Sequence, residues 1–149
     1  MLDFLKKFLS GSNEAEVKKI RKTVEKINAL EPQMQKLSDG WREGVAMLAA
    51  REGESPEFDD MLRLARACLC HFESAYHHAA FVLAREADDR EGMLSAIRAE
   101  RETVRALIPL RKADSRIGYE ASNHYFYSLT DLAEKLVNLD WAEETLKRR

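Results

Sequence analysis

Residues 58 to 83 read FDDMLRLARACLCHFESAYHHAAFVL. Along them Phe58, Leu62, Ala65, Leu69, Phe72, Tyr76, Ala79 and Leu83 follow one another at alternating spacings of 4 and 3. At 3.6 residues per turn such steps stay on one face, so the stretch predicts a helix of about 30 residues, about 45 Å long. A lone helix cannot bury a seam of that length, and partner helices must lie against it. Ser55 and Pro56 start it, as cap residue and first-turn proline.

Working outward, Asp88 and Glu91 read as a capping box. Met93, Ile97, Val104, Leu107 and Ile108 then mark a second long helix returning beside the first. Pro109 is expected to end or bend it, because proline lacks an N–H and clashes with the preceding turn. Glu100 falls on this stripe, between Ile97 and Val104. Facing the core it would need a partner such as Arg or His, since an unpaired buried carboxylate is costly or protonates. A rotation that sets it at the seam's edge is the plainer arrangement. Ser128 and Asp131 suggest a last cap, with Leu132, Leu136, Leu139 and the neighbouring Trp141 on the final amphipathic helix.

Upstream, Leu2, Phe4, Leu5, Phe8 and Leu9 form a short amphipathic piece with Lys6 and Lys7, suited to packing on the domain or lying on a membrane surface. After Ser10–Gly11–Ser12, Asn13 with Glu16 starts a helix whose core stripe is Val17, Ile20, Val24 and Ile27. Pro32 ends or kinks that helix; the chain restarts and stops at Ser38–Asp39. Beyond Gly40, Trp41, Val45 and Leu48 resume helical spacing until REGES (51–55) closes the segment. The expected architecture is all-α: an antiparallel helical bundle with two long central helices, in one domain spanning 1–149.

Composition agrees. The 149 residues suffice for one continuous core, and only six Gly and three Pro interrupt a chain rich in helix formers. The net charge of −2 argues against nucleic-acid binding by the whole surface. Cys68 and Cys70 lie two apart, which on a helix turns them about 200° from each other and prevents a bridge. Reduced thiols, no stretch of spanning length and no cleavable leader together make a cytoplasmic location the expectation.

Chemical motifs are sparse. No phosphate-cradling glycine loop, zinc-protease helix, paired-cysteine motif or serine elbow occurs. Glu73 and His77, with Cys70 three before, share a helical face, and Glu120 and His124 repeat the spacing of four. Bundle metal sites use Glu and His on facing helices but at a spacing of three, so ordinary helix-surface pairs are expected and no metal or other cofactor. Residues 112–127 fit no single period. There Arg116, Tyr119, Glu120, His124 and Tyr125 combine rings with polar ends, as a sugar or other polar ligand requires, or as aromatics closing the bundle end would.

The stretch NEAEVKKIRKTVEKINALEPQMQKLSD (13–39) resembles the N-terminal lead-in of SecA, the preprotein translocase motor ATPase. VEKINALEP, Met34 and LSD carry the likeness, which continues more loosely through EGESPEFDDML to about residue 72. In that family a phosphate-binding loop and motor domains follow; here the chain turns into ESAYHHAAFVLAREADD, so ATP hydrolysis and translocation do not carry over. What the resemblance implies is association with acidic lipid or translocon partners through Lys6, Lys7, Lys18, Lys19, Arg21 and Lys22. Residues 113–141 are similar, more weakly, to helical C-terminal segments of glycoside-hydrolase-like bacterial proteins, with no catalytic role implied. Two unrelated partial likenesses in 1–72 and 73–149 suit a composite or designed chain. The expected function is that of a non-enzymatic helical protein, monomer or homodimer. A SecA-related binding module and a sugar- or metal-binding helical domain stand as alternatives.

Overall fold

The structure, a computed structural model, describes residues 22, 26, 29–117, 119–120 and 125–148, with side chains omitted at 31, 119, 120, 125 and 126. The chain divides into two compact units, Met1–Pro32 and Gln33–Arg149. The helix expected over 2–9, the Asn13 cap and most of the Val17–Ile27 stripe lie outside the described residues. In the first unit Lys22 and Lys26 are helical and exposed.

Four helices dominate the described residues: α1 (Glu31–Ala49), α2 (Pro56–Glu86), α3 (Arg90–Ala113) and α4 (Leu129–Arg148). Between α3 and α4 two residue pairs, β1 (Tyr119–Glu120) and β2 (Tyr125–Phe126), form a minimal antiparallel ladder with Tyr119 opposite Phe126. The architecture is the all-α bundle expected, and α2 and α3 are its long central helices.

The ends of α2 and α3 obey local chemistry. Ser55 accepts from the Phe58 N–H at 3.2 Å and Pro56 opens the helix. At the far end Asp88 adopts φ 54°, the left-handed conformation that terminates helices, and the Asp89 N–H donates back to Ala84 O at 2.8 Å. Asp88 is therefore spent on the helix end, and Asp89, not Asp88, is the cap of α3, accepting from the Gly92 N–H at 2.9 Å. Ser128 and Asp131 cap α4 reciprocally: Ser128 N–H donates to Asp131 Oδ2 at 2.8 Å, and Asp131 N–H to Ser128 Oγ at 3.2 Å.

Two expected helix ends do not occur. Helix α1 runs through Ser38–Asp39–Gly40 without interruption. Ser38 is buried, and Asp39 reaches forward to Arg42 at 2.7 Å, a same-face pair that continued helix provides. Pro109 sits inside α3, which continues to Ala113.

The α2–α3 hairpin is tight at Gly92. A Cβ there would lie 2.5 Å from Asp89 Oδ2 and 2.9 Å from Ala84 Cβ. Asp89 cannot swing aside without losing its cap bond. Gly92→Ala is therefore expected to destabilise the protein by about 1–2 kcal/mol, although alanine is the better helix former. Thermal unfolding checks this, and a gain in stability would mean that the turn opens freely.

Burial shows how the layers share α2. Leu62 on the expected seam is 1% exposed, but its other seam residues are only half-buried, while Ala67 and Cys70 lie in the deepest cluster with Val104, Leu107, Ile117 and Leu132. One face of α2 meets α1, where Trp41 packs on Phe72 with ring centroids 5.1 Å apart. Another meets α3 and α4. Helix α3 carries the fullest stripe, with Met93, Ile97, Glu100, Val104 and Leu107 all buried. Helix α4 runs antiparallel to it: Arg90 at the start of α3 donates to the carbonyls of Leu146 and Lys147 at 2.9 and 2.7 Å. Trp141, expected to join the α4 stripe, is 70% exposed.

Candidate functional site

Two features stand out among the described residues. The first is buried charge. Glu100 is 2% exposed and faces the core, not the seam's edge, because α2 and α4 supply its partners. From α2, Ser74 Oγ donates to Oε1 at 2.7 Å, His77 Nδ1 stands 3.2 Å from Oε2, and His78 Nε2 stands 3.7 Å from Oε1. From α4, the Lys135 ammonium pairs with Oε1 and donates to Ser74 Oγ at 3.2 Å. Burial pushes the Glu100 carboxyl up, but hydrogen bonds from His77, Lys135 and Ser74 outweigh it and hold the group at about 2. Cys70 beside it is pushed up to about 11, first by burial and then by the charge of Glu73, so its thiol stays protonated.

Serine, lysine, histidine and glutamate in one cluster invite comparison with a nucleophile and its base. The bond directions oppose that role. Ser74 gives its proton to Glu100, and Lys135 donates to Ser74 where a base would accept from it. The cavity lined by Cys70, Ser74, Glu100, Thr103, Leu132 and Lys135 measures about 10 Å³, room for about one water. The cluster ties α2, α3 and α4 together.

A second charged clamp joins α3 to α4. Glu143 accepts from Arg98 at 3.0 Å and from Arg101, and Lys147 adds a contact at 3.0 Å. These bonds, led by that from Arg101, hold its carboxyl at about 2.

The second feature is an open apolar groove of about 560 Å³ along α1. Trp41, Val45 and Leu48, with Ala65 from α2, line it; Leu37 and Met47, 40% and 76% exposed, stand at its edges. Gly40 and Gly44, one turn apart, leave notches in which an added Cβ would meet nothing within 4 Å. Each glycine costs a helix interior about 1 kcal/mol relative to alanine. Lys36 is the charged residue on the lining.

Lys6, Lys7, Lys18, Lys19 and Arg21 lie outside the described residues, as does His124. Tyr119, Glu120 and Tyr125 contribute backbone to the two-residue ladder, where Glu120 stands opposite Tyr125. Arg116 is exposed and folded back on Asp114, 2.7 Å from Oδ2, and that hydrogen bond holds the Asp114 carboxyl at about 2. Glu73 and His77, one helical turn apart, serve different neighbours: Glu73 accepts from Arg42 at 2.7 Å, whereas His77 turns to Glu100. Among the described residues, no group of three or more His, Cys, Asp or Glu could hold a metal ion, and no helix is long and apolar enough to cross a membrane. The groove was not foreseen, although Gly40 and Gly44 at a spacing of four, flanked by Leu37 and Met47, were its trace in the sequence.

No protein-family profile and no solved structure matches the chain. Known sequences match the chain over a segment. The chain is 41% identical to the protein translocase subunit SecA of Desulforapulum autotrophicum over 63 residues, which is 42% of this chain and 8% of that protein. It is 49% identical to SecA of Francisella philomiragia over 39 residues, 26% of this chain and 4% of that protein. With SecA of Chlamydia abortus the identity is 41% over 63 residues, 42% and 6% of the two chains. The chain thus carries a SecA-like segment and spans less than a tenth of the relatives it matches.

Proposed function

We propose that this protein is a non-enzymatic helical module that works by binding another protein. The apolar groove on α1 carries this reading: it offers an open surface, whereas the charged core has room for no substrate. A composite origin rests on two partial likenesses, of which the comparisons support only the SecA-like one. A photo-crosslinking residue at position 47 tests the binding reading against the same residue at 137, an exposed α4 position away from the groove. Adducts formed in cells at 47 and not at 137 are expected. No adduct at 47, or equal yields at both, would sink the proposal.

A second reading places the module on acidic lipid through Lys6, Lys7, Lys18, Lys19, Arg21 and Lys22, and is favoured by the density of these cations in the SecA-like segment. Sedimentation with anionic and neutral vesicles tests it. Salt-sensitive binding to anionic vesicles alone, lost when Lys18, Lys19, Arg21 and Lys22 become glutamine, is expected of that reading. Binding to neither kind removes it. A cytoplasmic site of action goes with either reading.

A further inference from the structure

We infer that α1 is a releasable strap: it melts away from α2 as a unit while α2, α3 and α4 stay packed, and so uncovers the apolar strip of α2 at Ala65 and Phe72. The inference concerns α1 itself and goes beyond the protein-binding reading, because it holds whether or not a partner occupies the groove. Met34, Ser38, Trp41, Val45 and Leu48, at alternating spacings of 4 and 3, form the face that α1 turns inward, yet of these only Ser38 and Val45 are fully buried. Ser38 stands in the middle of the stripe, and its buried hydroxyl finds no hydrogen-bond partner. Water would satisfy that group, so its burial favours release. Gly40 and Gly44 weaken the helix further, and packing does not demand them, since a Cβ at either would meet nothing within 4 Å.

A helix of 19 residues draws most of its stability from a packed face, and the α1 face is thinly packed. Trp41 rests on Phe72, and Arg42 pairs with Glu73 at 2.7 Å through a side chain 55% exposed, where an ion pair contributes little. Between Val45 and Leu48 on one side and Ala65 on the other, the groove leaves the α1–α2 interface open. The other helices are held differently. Helix α3 buries eight side chains, Glu100 is bound to Ser74 of α2 and Lys135 of α4, and Glu143 of α4 is bound to Arg98 and Arg101 of α3. Unequal packing of this kind divides a protein into units that open separately, and here the division falls between α1 and the rest.

Native-state hydrogen exchange on the full chain, with no partner added, tests this. The interior amides of α1 are expected to be at least about a hundredfold less protected than those of α3 between Ile97 and Leu107, and to exchange together. Combining Ser38→Ala, Gly40→Ala and Gly44→Ala removes the three defects without a clash. That variant should raise the protection of α1 at least about tenfold and leave that of α3 unchanged. Equal protection of α1 and α3 in the wild-type chain would mean that α1 opens only with the whole bundle, and would overturn the inference. A rise shared equally by both helices in the variant, or no rise in α1, would overturn it as well. Protection that declines steadily toward one end of α1 would show fraying in place of release, with the same consequence.

Discussion

Leu132→Ala is expected to lower the unfolding free energy by about 3 kcal/mol and the melting temperature by about 6–12 °C. Leu132 closes the first turn of α4 and is 1% exposed, inserted among Ala67, Cys70, Val104, Leu107 and Ile117. It is the α4 member of that cluster, so its removal empties the joint between α4 and the two central helices. Ala67 and Cys70 are too short to collapse into the space, and a cavity that cannot close is the costly kind. Trp141→Ala removes a larger side chain from the same helix but from a position 70% exposed, and is expected to change stability by less than about 0.5 kcal/mol. Urea denaturation of both variants checks the pair. Comparable losses would mean that α4 is held along its outer face.

The helices of this bundle were legible for a physical reason. A stripe such as Met93, Ile97, Val104 and Leu107 has one period and one meaning, and caps such as Ser55 and Ser128 act on residues three positions away. Depth was less legible. Helix α2 lies between α1 on one side and α3 and α4 on the other, so its apolar residues are divided between two faces. Periodicity selected the half-buried seam at Phe72 and Tyr76 and passed over Cys70. Glu100 was misplaced because its answer is nonlocal: Ser74 and His77 lie on the preceding helix and Lys135 on the following one. A period detects polarity out of step with a stripe, but not the partner that makes it tolerable. The α1 groove escaped for the converse reason, since it consists of space that Gly40 and Gly44 leave unfilled.

Lys135→Met tests what the Glu100 cluster contributes. Removing one partner from a buried pair commonly costs about 3–5 kcal/mol; here Ser74 and His77 remain and Lys135 is partly exposed, so about 2–3 kcal/mol is expected near neutral pH. Acid should then erase part of the difference. Glu100 is held at about 2, below its ordinary 4.5, so the folded state takes up its proton less readily than the unfolded chain. Its stabilising contribution is full above about pH 4.5 and is lost as pH falls toward 2. His71, on the cavity wall, is held below its ordinary 6.5 by burial and then by the charge of Lys135, so its protonation weakens the folded state as pH drops through and below that value. Together with His78, which burial likewise holds below 6.5, the two groups act with one sign: stability of the wild-type chain is expected to be flat from pH 6.5 up to 9.0, where the raised Cys70 thiol begins to weaken the fold, to decline below 6.5, and to fall more steeply below 4.5. In Lys135→Met, Glu100 loses a hydrogen-bond donor and His71 loses the neighbouring cation, so both windows narrow. Denaturation midpoints across this range should therefore begin lower in the variant and converge with the wild type in acid. Parallel curves, displaced by a constant amount at every pH, would show that Lys135 contributes packing alone and that acid acts on the fold elsewhere.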